Sequence, residues 1–335
     1  MDMASTGAQI QIIPAPKLER TLTRADLDIM ADKVRNWDRW GSDDEIGTLN
    51  FVGEEEVRAA AALVRKGRVI SMGMDFNFQG PQKGWGNRFN PIHTMLQTGT
   101  DAVAGNQDWN GIRYADDMVT MPLQCGTQWD ALGHVFFDEK MWNGYDARLV
   151  DSTGAKKNGI DKTRDRMVGR GVLLDVARMK GGYLDDGYGI SAAELDECAA
   201  AQGVEIRRGD YVVVRTGHME RCVDRGDWGG YAGGDAPGLR FETAEWIHRN
   251  EIAAICTDTW GCEVRPNESA DSKAINQPWH WIVIPMIGIS MGEIFNLREL
   301  SQDCSEDGVY EFMFCAPALP ITGAVGSPIN PLAIK

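Results

Sequence analysis

The sequence lacks features that would mark several classes of protein. It has no run of about eighteen consecutive apolar residues, the length that a membrane-spanning helix needs. Residues 1–17 contain no basic segment followed by an apolar one, so no secretory signal is expected there. The formal net charge is -15, and lysine and arginine form no local basic cluster. A negative surface of this kind disfavours contact with nucleic-acid phosphates and anionic lipids. We therefore expect a cytoplasmic protein that binds neither nucleic acid nor membrane.

Cysteine pairs at metal-binding spacing are also missing. The 7 cysteines lie between Cys125 and Cys315, and no two of them form Cys-x-x-Cys. Scattered cysteines in odd number are typical of reduced thiols and argue against a disulfide framework or a thiolate zinc site. Internal repeats and Pro/Ser-rich linkers are absent as well. We expect an N-terminal arm, residues 1–20, followed by one domain, residues 21–335.

What the chain does contain is a short segment rich in side chains that bind metals or move protons. They are Gln124, Gln128, Asp130 and His134. The preceding residues 117–123 predict a strand, and Gly126 with Thr127 predicts a turn. The four side chains are therefore expected to converge where a strand meets a loop, a common location for functional residues.

The segment resembles the signature of the cyclase family, His-x-Gly-Thr-His-x-Asp-x-Pro-x-His, which is found in metal-dependent hydrolases such as kynurenine formamidase. The chain keeps the Gly-Thr pair, the aspartate and the last histidine. It has Gln124 and Gln128 in place of the first two histidines, and Leu132 in place of the proline. This variant is similar to the branch of the family that contains trans-dienelactone hydrolase. Weaker similarities extend over most of residues 36–335, at residues 40–50, 215–217, 258–259 and 317–331.

The resemblance implies an α/β fold, a single compact domain of swivelling β/β/α architecture, and assembly as a homo-oligomer. Alternating helical and β-branched segments agree with this fold class. Helices are predicted at residues 27–37, 54–65, 191–203 and 241–249. Strands are predicted at residues 69–76, 171–176, 211–215 and 252–257. Residues 77–116 are expected to form a loop that walls a pocket, and residues 226–238 a mobile surface loop or lid.

The resemblance also implies a metal site assembled from distant parts of the chain. Its ligands would be Gln124, Gln128, Asp130, His280 and Glu293. Two carboxylates with an imidazole and two neutral amides balance the charge of a divalent ion. Amide oxygen is harder than imidazole nitrogen, so the glutamines favour Mn²⁺ over Zn²⁺ without excluding zinc. The alternative is that the glutamines only satisfy backbone groups and that His280 is a hydrogen-bonded core residue.

His134 matches the family's catalytic histidine, and a neutral imidazole there would act as general acid and base. His93 is predicted to orient a small-molecule substrate, and Trp129 and Trp260 to form apolar walls, although tryptophans are more often core residues. The sequence thus predicts a metal-dependent hydrolase that opens a cyclic ester with metal-activated water. A lactone is preferred because of the Gln-bearing motif.

Other functions stay open at this level. The same site would serve a cyclic amide hydrolase, or a dehydratase or cyclase that stabilises an enolate. The non-enzymatic alternative is a metal-free binding protein that lacks catalysis because two of the family's histidines are absent. Residues 288–292 fit the Gly-x-Ser-x-Gly motif of serine hydrolases. No histidine follows His280, so the Ser, Asp, His order of that fold is not available and Ser290 is expected to be structural.

Overall fold

A nine-stranded sheet organises residues 11–335, which are the residues that the computed structural model describes. The first ten residues of the predicted N-terminal arm lie outside this range. In chain order the strands are β1 Ile12–Ile13, β2 Val69–Ser71, β3 Ile92–Gln97, β4 Asp116–Thr120, β5 Gln128–Asp130, β6 Val150–Asp151, β7 Gly154–Ala155, β8 Val168–Leu174, β9 Tyr183–Leu184, β10 Gly189–Ile190, β11 Tyr211–Val214, β12 Gly238–Leu239, β13 Ala254–Thr257, β14 Ser290–Glu293, β15 Glu311–Cys315, β16 Gly326–Pro328 and β17 Leu332–Ile334.

The helices connect the strands and cover the sheet. They are α1 Arg24–Val34, α2 Glu54–Ala61, α3 Gly99–Val103, α4 Val176–Lys180, α5 Ala192–Gln202, α6 His218–Arg225, α7 Thr243–Asn250, α8 Pro278–Ile282 and α9 Arg298–Asp307. A π-helical turn, Val283–Ile287, continues α8. Short 3₁₀ turns occur at Gly47–Phe51, Trp85–Asn87, Asp108–Asn110, Trp142–Gly144, Ala147–Leu149 and Ile160–Thr163. Within the described residues no helix has the length and apolar character needed to cross a membrane.

The strand order across the main sheet is β16-β5-β14-β13-β11-β8-β15-β17-β2. The central strands β14, β13, β11 and β8 run parallel to one another. The strands outside them pair antiparallel, as β5 does with β14 and with β16. The other eight strands form two-stranded ribbons, among which β1 pairs with β9 and ties residues 12–13 to the domain. The predicted strands are therefore present, as β2, β4, β8, β11 and β13, with boundaries shifted by a few residues.

Both faces of the central strands are buried. In β11, Val212 and Val214 belong to a cluster that includes Trp246 from α7. Tyr211 alternates with them and stacks on Phe314 of β15, with ring centroids 4.8 Å apart, in a second cluster on the opposite face. Because neighbouring side chains of a strand point to opposite faces, a strand buried on both sides has a continuous apolar sequence. This explains why the β-branched runs of the sequence mark the centre of the sheet.

The predicted helices are present, and α5 has the predicted capping box. The Ser191 hydroxyl accepts a hydrogen bond from the Glu194 backbone N–H at 3.2 Å, and the Glu194 carboxylate accepts one from the Ser191 N–H at 2.9 Å. Gly203 ends the helix with φ 66°, a conformation that glycine adopts without strain. The other helix boundaries differ from the prediction by a few residues, since α1 begins at Arg24 and α2 ends at Ala61.

Two segments predicted as loops have more structure than the sequence indicated. Residues 77–116 contain α3 and β3, and β3 pairs antiparallel with β4 to form an exposed hairpin. Residues 226–238 are anchored rather than detached, because Tyr231 is only 1% exposed and its hydroxyl donates to the Asp258 carbonyl at 3.0 Å. The buried Tyr231 side chain therefore packs this glycine-rich segment against the rest of the protein.

Residues 40–50 support the loop that leads into β14. A Cβ atom added to Gly47 would lie 2.0 Å from the Gly288 carbonyl oxygen, so only glycine fits. The Thr48 N–H donates to the same oxygen at 2.9 Å. Asp44 accepts a hydrogen bond from the Gly47 N–H at 2.8 Å. This contact holds the connection between α8 and β14, and both of these elements carry residues of the site described below.

The cysteines are all unpaired, as predicted. Six of them are buried, and Cys315 is half-buried. Burial raises the pKa of Cys198 to about 12, and that of Cys304 to about 12 as well. These two thiols are therefore protonated core groups.

We predict that Ser191→Ala lowers the free energy of unfolding by about 1 kcal/mol, because the substitution removes an N-cap hydrogen bond of α5. Urea denaturation with a conformational probe measures the change. Ser305→Ala is the matched control, since Ser305 is exposed within α9 and caps no helix. Its expected effect is within about 0.5 kcal/mol. Equal effects of the two substitutions would contradict the capping role.

Candidate metal centre

The pairing of β5 with β14 places three polar side chains on one face of the sheet. Gln128 lies directly opposite Glu293, and Asp130 opposite Met291. Residues two apart in a strand share a face, so Gln128, Asp130 and Glu293 point the same way. All three are buried, with exposures of 0%, 2% and 3%. Gly126 and Thr127 form a bend at the predicted turn, and the strand that follows it carries Gln128 and Asp130.

His280 reaches the same place from α8. Its Nε2 atom lies 3.4 Å from Glu293 Oε1, and its Nδ1 atom is hydrogen bonded to the Glu263 carboxylate. Glu263 also accepts hydrogen bonds from the backbone N–H groups of Trp279 and His280, at 3.3 Å and 3.2 Å. One buried carboxylate therefore holds both the start of α8 and the imidazole ring. A histidine whose Nδ1 binds a carboxylate presents Nε2 as a metal ligand, which is the usual outer-sphere arrangement.

Asp130, His280 and Glu293 form a cluster that fits a divalent cation. Their ligand atoms all lie within 4.8 Å of one another. Burial and the nearby Asp130 raise the pKa of Glu293 to about 7. Burial lowers the pKa of His280, but hydrogen bonds to Glu263 and Glu293 outweigh that effect and raise it to about 10. Two adjacent buried carboxylates are costly unless a cation compensates them, so the donor set and its burial suit a metal ion.

Gln128 contacts both carboxylates of the cluster. Its Nε2 donates to Glu293 Oε2 at 2.8 Å and to Asp130 Oδ1 at 3.3 Å. Its Oε1 atom is buried and has no hydrogen-bond partner within the described residues. Rotating the amide by half a turn exchanges these two atoms, and the exchanged oxygen would face a cation held by the carboxylates. The ligand role of Gln128 stays a prediction, and its position beside the cluster is compatible with it.

Gln124 lies half-buried in the turn before β5. Its backbone carbonyl accepts a hydrogen bond from Arg88 Nη1 at 3.4 Å. Its side-chain amide packs against Gly326, where a Cβ atom would come within 2.5 Å of Gln124 Nε2. Gly326 pairs with Asp130 across β16 and β5. The amide is therefore close to the strand that carries Asp130, but it does not line the pocket of the cluster, and its role as a ligand stays a prediction.

His134 returns to the cluster through a tight turn after β5. Its backbone N–H donates to the Ala131 carbonyl at 3.0 Å, and its Nε2 lies 3.8 Å from Asp130 Oδ1. The side chain is 22% exposed, so solvent and small molecules reach it. Burial lowers the pKa of His134, and Asp130 opposes this effect only in part. The imidazole is thus neutral at pH 7 and able to accept a proton.

A cavity of about 90 Å³ opens beside these residues. Asp130, His134, His280 and Glu293 form its polar side, and Trp85, Trp260 and Trp281 line it as well. The rings of Trp85 and Trp260 meet edge to face, with centroids 4.5 Å apart. Trp260, one of the predicted substrate-binding residues, is therefore placed at the pocket. Trp85 shows that the predicted loop after residue 77 does contribute a wall.

Two predicted substrate-binding residues are not brought to this pocket. Trp129 points to the opposite face of β5, where its indole N–H donates to the Ala316 carbonyl at 2.7 Å and its ring packs against Phe295 and Phe314. His93 lies on the exposed β3–β4 hairpin and is paired with Asp117 at 2.8 Å. Trp129 points away from the pocket because it lies between two site residues of β5, and neighbouring side chains of a strand point to opposite faces. His93 lies away from the pocket because it belongs to the exposed hairpin and not to the main sheet.

Comparison with known proteins identifies the family. The family model described as "Putative cyclase" matches residues 70–264, more than half of the chain. The chain belongs to the cyclase family. A crystal structure described as a novel cyclase shares 37% identity, with a TM-score of 0.81 over 90% of this chain and 100% of the other. The predicted compact α/β fold of this family is therefore confirmed.

More distant structures share the fold of this cyclase-family protein. Isatin hydrolase A from Labrenzia aggregata, bound to benzyl benzoate, is 17% identical, with a TM-score of 0.58 over 82% of this chain and 94% of that one. An isatin hydrolase bound to the product analogue thioisatinate is 16% identical, with a TM-score of 0.58 over 85% of this chain and 99% of that one. Comparison with curated proteins finds no match. The branch that contains trans-dienelactone hydrolase stays a prediction.

Sequence reasoning missed several residues of the site in this cyclase-family protein, among them Glu263, Trp85 and Arg88. Glu263 holds His280 from a loop 17 residues away, and no motif marked it. Trp85 and Arg88 line the pocket from the segment that the sequence predicted as a pocket loop, but no motif singled out these two residues within it. The single available signal was composition, because a tryptophan and an arginine in a long Gly-rich loop are typical of a functional segment.

Ser290 is not placed as a nucleophile. It begins β14 on the face opposite to Met291 and Glu293, it is fully buried, and it does not line the pocket. A nucleophile elbow is a sharp turn between a strand and a helix, whereas Ser290 lies within a strand. The cyclase-family protein thus has no elbow at its Gly-x-Ser-x-Gly segment, as we expected from the order of its histidines.

We predict that Glu263→Gln weakens the binding of Zn²⁺ or Mn²⁺ by about tenfold to a hundredfold, the usual effect of removing an outer-sphere carboxylate. Isothermal titration calorimetry of metal-free protein measures the change. Asp117→Asn is the matched control, because Asp117 also pairs with a histidine but lies on the exposed hairpin. It should leave metal affinity unchanged. Wild-type metal affinity in Glu263→Gln would contradict the supporting role of the Glu263 carboxylate.

Proposed function

We propose that the protein is a metal-dependent hydrolase that opens a cyclic ester, with a cyclic amide as the alternative substrate. The observation that carries the proposal is the buried cluster of Asp130, His280 and Glu293, which borders a pocket together with His134. Membership of the cyclase family is consistent with it. A buried ligand set beside a neutral histidine and an aromatic-lined cavity has the components of a hydrolytic site.

Asp130, Glu293 and His280 Nε2 would hold the metal ion, with Gln128 and Gln124 as candidate amide ligands. A divalent ion bound there supplies a Lewis acid that polarises the carbonyl group of a substrate and lowers the pKa of water. The oxygen-rich ligand set favours Mn²⁺ over Zn²⁺. Glu263 keeps the His280 proton on Nδ1, so that Nε2 is available as a ligand.

His134 is the proposed general acid and base. As a neutral imidazole it accepts a proton from the attacking water, and as an imidazolium it returns that proton to the leaving oxygen or nitrogen. Asp130 lies 3.8 Å from its Nε2 and stabilises the protonated form through their opposite charges. Trp85 and Trp260 line the pocket beside His134.

The substrate is proposed to be planar in part and small, because the cavity is narrow and its walls carry tryptophans. A lactone is preferred on the resemblance of the Gln-bearing motif to the branch with trans-dienelactone hydrolase. The fold shared with isatin hydrolases keeps a cyclic amide as the alternative. Assembly as a homo-oligomer and a cytoplasmic location complete the proposal.

A screen of lactones and cyclic amides with protein supplemented by Mn²⁺ or Zn²⁺ tests the function. Ring opening that stops on chelation and returns with added metal is the expected result. Product analysis separates hydrolysis from dehydration or cyclisation. A metal content well below one ion per chain after supplementation would contradict the proposal and favour a binding protein of the same fold.

We predict that His134→Ala keeps its metal but lowers turnover by about a hundredfold or more, the usual scale for a general acid/base. Metal analysis and steady-state kinetics are measured on the same preparation. Ser290→Ala is the control, because this hydroxyl is buried away from the pocket and has no hydrogen-bond partner within the described residues. It should retain wild-type turnover. A loss in Ser290→Ala with none in His134→Ala would support the serine-hydrolase alternative instead.

A further inference from the structure

Arg88 is the only cation besides histidine among the residues that line the pocket of the described chain. It lies in the loop between the 3₁₀ turn Trp85–Asn87 and β3. Its guanidinium carbon is 5.4 Å from the centroid of the Trp85 ring, which itself packs against Trp260. The side chain is half-buried, so the aromatic wall holds the guanidinium in place at the pocket.

Arg88 has no ion-pair partner in this acidic protein. No carboxylate oxygen of residues 11–335 lies within 4.0 Å of its guanidinium, although the chain has 49 acidic residues against 34 basic ones. Two other arginines of low exposure are paired, Arg170 with Asp210 at 2.6 Å and Arg215 with Asp175 at 2.8 Å. Arg265 also lacks a carboxylate partner in the described residues, but its guanidinium donates to the Gly234 carbonyl at 3.1 Å and it does not line the pocket. Arg88 therefore combines an unpaired guanidinium with a position at the pocket.

Most hydrogen-bond donors of Arg88 are also unused. A guanidinium has five N–H donors in a planar fork. Within the described residues the only hydrogen bond of the Arg88 side chain goes from Nη1 to the Gln124 carbonyl, at a long 3.4 Å. The remaining donors match the geometry of a carboxylate, which accepts two parallel hydrogen bonds from one arginine.

We infer that Arg88 binds a carboxylate carried by the substrate, so that the substrate is a planar, anionic cyclic ester or amide. The inference rests on the proposed function for the ring-opening step, and it adds the charge of the substrate. The ring would lie against Trp85 and Trp260, with the carboxylate at Arg88 and the scissile carbonyl toward Asp130, His280 and Glu293. Arg88 is in this view a specificity-determining residue.

A competing explanation for Arg88 follows from the charges of the site. Asp130, Glu293 and Glu263 contribute three negative charges, and a divalent ion offsets two of them. Arg88 would then only balance the third. In that case its removal would change metal affinity, and it would weaken the binding of neutral as well as anionic ligands. The substrate role predicts a loss confined to anionic ligands.

The test measures binding, not turnover. Benzoate and its neutral analogue benzamide are titrated by calorimetry into metal-loaded wild type, Arg88→Met, Arg88→Lys and the control Arg225→Met. Arg225 is exposed, lies outside the pocket and has no carboxylate within 4.0 Å in the described chain. Metal affinity is titrated in parallel for each variant.

We expect wild type and Arg225→Met to bind benzoate about tenfold to a hundredfold more tightly than benzamide, the scale of a charge-assisted hydrogen bond. Arg88→Met should lose this preference while keeping its affinity for benzamide and metal. Arg88→Lys should retain part of it, because lysine keeps the charge but not the fork.

Three results would overturn the inference. The first is that wild type shows no preference for benzoate over benzamide. The second is an unchanged preference in Arg88→Met, which would assign the carboxylate to the metal. The third is an equal loss of affinity for both ligands in Arg88→Met, together with altered metal affinity. The proposed hydrolysis fails by a different observation, the absence of ring opening in the screen. Since no step of the titration requires turnover, the two failures are distinguishable.

Discussion

The structure depends on the burial of two carboxylates side by side. Asp130 and Glu293 lie on one face of neighbouring strands with exposures of 2% and 3%. Removing one carboxylate from water is costly, and a second one nearby adds repulsion. Gln128 donates hydrogen bonds to both, and His280 offers an imidazole to Glu293. A divalent cation would offset the negative charge that these hydrogen bonds leave uncompensated. The need to compensate two buried carboxylates therefore explains why these residues lie together.

The surrounding fold is arranged to hold that point in place. Glu263 fixes the imidazole and the start of α8 at once, and the contact of Gly47 with Gly288 fixes the path from α8 to β14. Asp258 ties the ends of β11 and β13 together by accepting hydrogen bonds from the Thr216 and Gly217 N–H groups, at 2.8 Å and 2.7 Å. Burial raises the pKa of Asp258 to about 6 in spite of these bonds. Each of these three contacts involves backbone groups, so together they restrict the movement of the chain around the site.

Much of the fold was predictable because it follows from local patterns. Apolar runs identified β8, β11 and β13, and the Ser191 capping box identified α5. The site was predictable only in part. The motif indicated Asp130 and His134, and the resemblance added His280 and Glu293, which the structure places together. Trp129 differs from the prediction because neighbouring side chains of a strand alternate in direction, so Trp129 points into the core while Gln128 and Asp130 point to the site. Which of the two faces of β5 becomes core depends on how the rest of the chain packs.

By itself the sequence determined the helices and strands that carry strong local patterns, and the residue types available at the site, since these depend on neighbours along the chain. Tertiary structure alone decided which polar side chains meet. No motif marked Glu263, Arg88 or Trp85. Arg88 and Trp85 reach the pocket from a loop that packs against the rest of the chain through contacts such as that of Trp85 with Trp260, and Glu263 reaches His280 from another loop. The physical reason is that ion pairing and burial act through space, so their outcome is decided only after distant segments have packed against one another.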